Sequence, residues 1–240
     1  MKKFLTAIGL SLTLATPLFA ETKQTNLKSH TTEAFGCMIL LECKEGVERV
    51  SLDYQFGENQ QEHLEEIKNI IGGLNKLNVE FYIGDEKYFP LNTNGVYKPK
   101  LNRLFLRRDL LENRKEFIKT LRHEGWHVVQ DAMAGGVQNT FIAQIHQDNE
   151  IPETLLLRVR LLYGLAGQTA AMSWEIDANY AELQPGKTAK YLEMAAVKPL
   201  WEQIEPTPFT KEWLVGCGYM KPEGKLKLYK NTNDCKEREN

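Results

Sequence analysis

Two histidines and a glutamate in this sequence have a spacing that suits metal chemistry, in the run His123-Glu124-Gly125-Trp126-His127. On a helix, residues i and i+4 lie one above the other on the same face, so the two imidazoles can bind a single metal ion. Glu124 lies about a hundred degrees further round the helix, too far to be a natural third ligand. It is near enough to take a proton from a water molecule that the metal activates. The spacing therefore predicts a metal site for hydrolysis, with Glu124 as general base.

The motif falls in a stretch with a helical pattern of apolar residues, between Leu110 and Met133. The apolar side chains that recur at broadly helical spacing are Leu111, Phe117, Ile118, Leu121, Val128, Val129 and Met133. We expect Asp109 to cap the helix at its start and Gly135-Gly136 to end it. The histidines would then lie in the second half of a helix that packs against the core.

A catalytic zinc site needs three protein ligands and one open position, so a third ligand must come from elsewhere in the chain. A third histidine, six positions after His127, is ruled out because Gln130 and Met133 stand where that pattern needs glycine and histidine. Two carboxylates of a later predicted helix remain, Glu175 and Asp177. Either can supply an oxygen ligand, and the residues alone leave both open.

The His-Glu-x-x-His run and the later run Glu175-Ile176-Asp177-Ala178-Asn179 together resemble a gluzincin-type zinc metallopeptidase, over about residues 79–185. Several such families carry a similar Glu-x-x-Ala-Asp/Asn sequence on a later helix. The resemblance implies a small secreted enzyme that cleaves peptide bonds, with His123, His127 and Glu175 as Zn²⁺ ligands. It also implies that Glu124 acts as general base and later as general acid.

The resemblance extends to residues around the ligands. An acidic residue four positions after the glutamate ligand usually orients a histidine ligand, and here that position holds Asn179, whose amide can accept the imidazole N–H. The negative charge that develops on the substrate carbonyl needs a hydrogen-bond donor, usually a histidine or tyrosine. The candidates for that donor are Tyr180, His146 and Tyr163.

An edge strand just before the active-site helix, able to hold an extended peptide by backbone pairing, is also implied by the resemblance. The segment Lys100–Arg108 is the candidate for this strand. Another strand is predicted at Asn78–Gly84, where Val79, Phe81 and Ile83 alternate with Glu80 and Tyr82.

The remaining pattern predicts an α+β fold, with a small twisted sheet packed on one side by helices and a mostly helical second half. The resemblance implies that this fold is zincin-like. The other predicted elements are a strand at Val47–Phe56 and helices at Gln60–Leu77, Thr140–Gln147, Leu155–Leu165, Gln168–Leu183 and Thr188–Trp201. We divide the chain into a signal peptide (1–20), a flexible segment (21–36), the zincin-like domain (37–215) and a C-terminal tail (216–240).

The N-terminus reads as an export signal: Lys2 and Lys3 precede an apolar run, and Leu18-Phe19-Ala20 offers a cleavage site. The run is too short for a comfortable membrane span, so we expect no stable membrane anchor and a periplasmic or secreted protein. Four cysteines in the exported part suggest disulfides. We favour the two local pairs, Cys37–Cys43 and Cys217–Cys235.

A formal net charge of −2 without a basic stripe argues against nucleic-acid binding. The expected partner is a peptide or protein substrate. Two alternatives stay open: the same zinc chemistry could act on cell-wall peptides or amides, or the metal and disulfides could only staple a non-catalytic binding protein in the periplasm.

Overall fold

The computed structural model of the chain describes residues 32–136, 141–165, 167 and 169–222. The α-helices are α1 (residues 32–40), α2 (Leu64–Lys76), α3 (Arg114–Met133), α4 (Glu153–Leu165), α5 (Met172–Glu182), α6 (Lys187–Val197) and α7 (Pro208–Gly216). The strands are β1 (Val47–Val50), β2 (Glu80–Gly84), β3 (Gly95–Lys98) and β4 (Arg103–Arg107). The α+β class and the mostly helical second half are therefore confirmed. The predicted leader, residues 1–20, lies outside the described residues.

The four strands form one mixed sheet in the order β1-β2-β4-β3. β2 runs parallel to β4, and the outer strands β1 and β3 each pair antiparallel to their neighbour. The edge-strand prediction is therefore wrong in one respect. The strand within Lys100–Arg108 is β4, an inner strand, and the edge next to α3 is β3, which contributes Gly95 opposite Leu106. The strands pair as a hairpin through a short 3₁₀ turn at Pro99–Leu101, which places β3 outside β4.

The sheet buries both of its faces, whereas the sequence predicted helices on one side only. Every second residue of β2 and β4 faces the helices α2 and α3. These residues are Phe81, Ile83, Leu104 and Leu106. The opposite face carries Tyr82 and Phe105, whose rings stack with centroids 5.2 Å apart. Met38 of α1 and Phe89 pack against that second face. Part of the segment predicted to be flexible, residues 32–36, thus belongs to a helix that covers the sheet.

The motif helix α3 has the predicted core face, and Phe117, Leu121, Trp126, Val128 and Met133 are buried on it. Its predicted cap is wrong. Asp109 lies in a 3₁₀ helix and accepts a hydrogen bond from Arg107 Nε (2.9 Å), so its carboxylate is engaged elsewhere. Asn113 caps α3 instead, by accepting from the backbone N–H of Glu116 (3.3 Å).

The short helix predicted at Thr140–Gln147 is not formed in residues 141–147, and Thr140 lies outside the described residues. The backbone N–H groups of Ile145 and His146 donate to the carboxylate of Asp177 rather than to a helical carbonyl. The Gln144 carbonyl accepts from the hydroxyls of Thr207 and Thr210 (3.0 and 2.8 Å). Side chains of two other elements thus hold this segment in a non-helical conformation.

The Cys37–Cys43 disulfide is confirmed and joins α1 to the segment before β1. Cys217 is also disulfide-bonded, and Cys235, its predicted partner, lies outside the described residues. Within the described residues, we find no helix with both the length and the apolar character that crossing a membrane requires.

Candidate metal centre

Helices α3 and α5 bring three potential metal ligands to one point. His123 and His127 lie on adjacent turns of α3, with ring centroids 4.9 Å apart. Glu175 of α5 places its carboxylate oxygens 3.2 Å from His123 Nε2 and 3.7 Å from His127 Nε2. One donor atom from each residue lies within 4.8 Å of the others. Ligand atoms around a tetrahedral zinc ion lie about 3.3 Å apart, so this donor set fits a metal ion of that kind.

The outer nitrogen of His123 is held by a carboxylate. Its Nδ1 lies 2.9 Å from Glu182 Oε2, at the C-terminal end of α5. Because a carboxylate only accepts hydrogen bonds, Nδ1 carries a proton and donates it to Glu182. Nε2, which faces Glu175, is then the nitrogen that can bind a metal ion once it has lost its own proton. Glu182 also pairs with Lys119 (3.3 Å). This arrangement directs His123 as a metal-ligating imidazole requires.

The outer nitrogen of His127 is held by an amide, Gln130, one turn further along α3. His127 Nδ1 lies 2.8 Å from Gln130 Oε1. Gln130 Nε2 donates to the Trp174 carbonyl (3.0 Å) and to Asp177 Oδ2 (2.8 Å). Both of these partners only accept, so the amide must present its oxygen to His127, which then carries its proton on Nδ1. The other ring nitrogen of His127, Nε2, faces Glu175 and is the one available to a metal ion.

The electrostatics of the polypeptide by itself reflect the closeness of these groups. Burial opposes a charge on His123, but hydrogen bonds to Glu175 and Glu182 outweigh it and raise the pKa of His123 to about 10. Burial likewise opposes ionisation of Glu175, but the charge of His127 and the hydrogen bond from His123 lower the pKa of Glu175 to about 2. The carboxylate form that a metal needs is thus the favoured form here.

Asp177, the alternative third ligand, has a different place. It is fully buried and faces away from the imidazoles, toward Gln130 and the segment 141–147. Its oxygens accept from Gln130, from the backbone N–H groups of Ile145 and His146, and from the ring of His146 at short range. Asp177 therefore anchors the structure behind the site, and Glu175 is the carboxylate beside the histidines.

Glu124 projects from α3 toward the edge strand β3. It is buried, and a Cβ added to Gly95 would lie 2.7 Å from Glu124 Cγ, so the strand can approach this closely only as glycine. Burial raises the pKa of the Glu124 carboxyl, while the two imidazoles and the backbone N–H of Tyr97 partly offset that effect. Glu124 lines the same cleft as the three ligand candidates.

The cleft has a volume of about 810 Å³ and lies between β3, α3, α4 and α5. Of the three tyrosine and histidine candidates for a donor, only Tyr163 lines it, and its hydroxyl donates to Glu175 Oε2 (2.6 Å). Burial and the nearby Glu175 raise the pKa of Tyr163, so it stays protonated. His146 is instead buried against Trp126 (ring centroids 5.4 Å apart), and the ring of Tyr180 lies edge-on to it (5.0 Å). Those two side chains belong to the packing behind the site.

Asn179, expected to hold an imidazole, donates to the backbone carbonyl of Glu175 (2.8 Å) instead. Two residues that hold the imidazoles, Gln130 and Glu182, were not predicted from the sequence, although helical spacing offered a signal for both. Gln130 follows His127 by three positions and Glu182 follows Glu175 by seven, so each shares a helix face with a ligand candidate.

No family model, curated protein or solved structure matches this chain. The arrangement of side chains in the cleft is therefore the observation on which a function has to be argued.

Proposed function

We propose that this protein is a zinc-dependent hydrolase that cleaves peptide bonds, with a zincin-like arrangement of the gluzincin type. The observation that carries the proposal is the meeting of His123, His127 and Glu175 in one cleft that also holds the buried Glu124. Two imidazoles and one carboxylate form the ligand set of hydrolytic zinc sites that leave a fourth position open. The fixed orientation of both imidazoles by Glu182 and Gln130 supports the same assignment.

The three ligand residues would hold Zn²⁺, which when bound supplies Lewis-acid chemistry by lowering the pKa of a water molecule and polarising the scissile carbonyl. Glu124 takes the proton from the attacking water and delivers it to the departing amine. The hydroxyl of Tyr163 lines the same cleft and would stabilise the negative charge that develops on the carbonyl oxygen by turning its proton from Glu175 to the substrate.

The edge strand β3 supplies the means of holding a substrate. Its inner edge pairs with β4, and its residues Gly95, Val96 and Tyr97 line the cleft. An extended peptide can pair with the outer edge of such a strand through backbone hydrogen bonds. A peptide bound there would pass directly over Glu124, since Gly95 and Glu124 are in contact.

Metal content tests the ligand set. We expect about one zinc ion per chain in the purified mature protein and a clear loss in Glu175→Ala, because two imidazoles alone leave the site incomplete. Elemental analysis measures this, with Glu193→Ala, an exposed glutamate of α6, as matched control. A wild-type protein that takes up no zinc, even when zinc is added back, would exclude the proposed site.

Turnover tests the role of Glu124. Glu124→Gln should keep its zinc but cleave a denatured protein substrate about 10²- to 10⁴-fold more slowly, since the amide cannot take the proton. Parallel digestion of purified peptidoglycan separates a general peptidase from a cell-wall enzyme. A Gln variant that cleaves as fast as wild type would remove Glu124 from the mechanism.

We further propose export to the periplasm, on the charged and apolar leader and the Cys37–Cys43 disulfide. The mass of the protein recovered from the periplasmic fraction should correspond to a chain that begins at Glu21. A full-length mass in the cytosolic fraction would contradict export.

A further inference from the structure

The cleft has two chemically different ends, on either side of the metal centre. Helices α3 and α5 run antiparallel, because Glu182 pairs with Lys119 near the start of α3, while the Trp174 carbonyl accepts from Gln130 near its end. Lys119 and Glu182, with Glu116 beside them, make the first end charged. The other end is apolar.

Three large apolar side chains line that second end: Ile142, Leu162 and Trp174. Ile142 lies there because the neighbouring Ala143 N–H donates to the Gln130 carbonyl (3.3 Å). Leu162 precedes Tyr163, whose hydroxyl reaches Glu175, the residue after Trp174. Trp174 is only partly buried, and among the described residues no aromatic ring packs against it. An incompletely buried indole beside a catalytic centre provides a large, rigid apolar contact area.

The apolar surface continues from the cleft onto the outside of α4. Leu157, Leu161 and Leu165 are spaced four residues apart along α4, and Leu162 lies three residues before Leu165. All four leucines therefore share one side of the helix. Each is more than half exposed, and Leu165 is 80% exposed. From Leu157 to Leu165 the helix rises about 12 Å, the length of three to four residues of extended chain. A contiguous exposed apolar surface of this kind marks a binding site.

We infer that this surface selects the substrate: the protein binds an extended polypeptide segment rich in large apolar side chains, with one of them against Trp174 and others along α4. The inference rests on the proposed peptidase function, because the polypeptide that binds along α4 is taken to be the same substrate chain that enters the cleft. Continuity through Leu162 favours this occupant over a separate partner. Polar, charged cell-wall peptides would leave these leucines uncovered.

Binding of two labelled peptides tests the inference without requiring turnover. Both have 16 residues and the same net charge, but one carries Leu or Phe at every third position where the other carries Ser or Gln. Fluorescence anisotropy with zinc-loaded Glu124→Gln measures both dissociation constants. We expect the apolar peptide to bind at least about tenfold more tightly, the effect of burying one or two apolar side chains. Equal dissociation constants for the two peptides would overturn the inference.

Substitutions locate the surface. Trp174→Ala and the double variant Leu161→Ser/Leu165→Ser, each made in the Glu124→Gln protein, should each weaken binding of the apolar peptide about tenfold and leave the polar peptide unchanged. Leu52→Ser is the matched control, because Leu52 is similarly exposed but lies beside Gly72 of α2. Apolar-peptide affinity that survives both changes would overturn the assignment. The assignment would also be overturned if the double variant changed only the oligomeric mass measured by light scattering, since a second copy of the chain would then cover α4. A change only in binding to anionic vesicles would overturn it too, since a lipid surface would then cover α4.

Cleavage by wild type keeps this inference separate from the proposed function. Selective binding of the apolar peptide with no cleavage of either peptide would support the surface and count against the peptidase. Equal binding and cleavage of both peptides would support the peptidase and overturn the selectivity.

Discussion

Gln130 controls the presentation of His127 through an amide whose two ends have separate partners. The oxygen accepts from His127, and the nitrogen donates to Trp174 and to the buried Asp177. A carboxylate at this position would lose both donor contacts and would face Asp177 with a like charge. The neutral amide is thus the side chain that can connect an imidazole to a buried aspartate.

Gln130→Met should weaken zinc binding about 10- to 100-fold, because the thioether is only a weak acceptor for the His127 N–H, and that hydrogen bond fixes the tautomer of the imidazole. Competition with a chromophoric chelator measures the dissociation constant. Asn179→Ala serves as the control, since the Asn179 amide lines the same cleft but donates to the Glu175 backbone carbonyl. If Gln130→Met and Asn179→Ala bind zinc equally well, Gln130 has no part in positioning His127.

At the level of elements, the close approach of β3 to α3 forms the wall of the cleft that carries Glu124. Gly95 and Tyr97 face α3 from alternate positions of the strand, and Tyr97 OH donates to Asp131 Oδ2 (2.8 Å). Side chains at Gly95 would collide with Leu106 and Glu124, at 2.6 and 2.7 Å from an added Cβ. The strand thus depends on a residue without a side chain at the point where it meets Glu124.

Gly95→Ala should reduce turnover while leaving zinc content unchanged, because the methyl group must displace Glu124 but touches none of the three ligands. Overpacking of this kind costs about 1–3 kcal/mol of stability. Gly57→Ala is the matched control, since an added Cβ there meets nothing within 4 Å. Peptide cleavage measures turnover, and elemental analysis of the same samples measures zinc content. Turnover equal to that of Gly57→Ala would show that Glu124 does not require this contact.

On the scale of the whole molecule, one half-buried carboxylate joins three helices behind the site. Glu66 of α2 accepts two hydrogen bonds from Arg122 of α3 (2.8 and 2.7 Å) and one from the Gly186 N–H at the start of α6 (2.7 Å). Burial opposes its ionisation, but the bonds from Arg122 and Gly186 outweigh that and lower the pKa of Glu66 below its ordinary value. Its charged form therefore stabilises the folded chain.

This pKa direction predicts an acid-sensitive contribution to stability. Because the folded pKa lies below the unfolded one, the contribution is complete at neutral pH and declines as the pH falls below about 4.5 toward the folded pKa. Urea unfolding at pH 7 and pH 3 should show a smaller loss in Glu66→Gln than in wild type. Glu65→Gln, at an exposed neighbouring position, is the control. Identical losses in the three proteins would refute the linkage.

Much of the local structure was predictable because it depends on residues close together in the chain. The helical period around the motif and the alternation of Phe81 and Ile83 with Tyr82 were both confirmed. The Cys37–Cys43 disulfide was predicted because only six positions separate the two cysteines. β3 was missed because its four residues, Gly95–Lys98, carry no clear alternating pattern.

By itself, the sequence determined that two imidazoles and a glutamate would share a helix, because the i, i+4 relation is a property of one helix alone. Only the tertiary structure decided which carboxylate joins them. Glu175 and Asp177 are two residues apart on α5, about 200° round the helix, so they face opposite ways. The packing of α5 against α3 turned Glu175 toward the histidines and buried Asp177 behind them. That choice depends on contacts between residues some 50 positions apart in the chain, which local spacing does not encode.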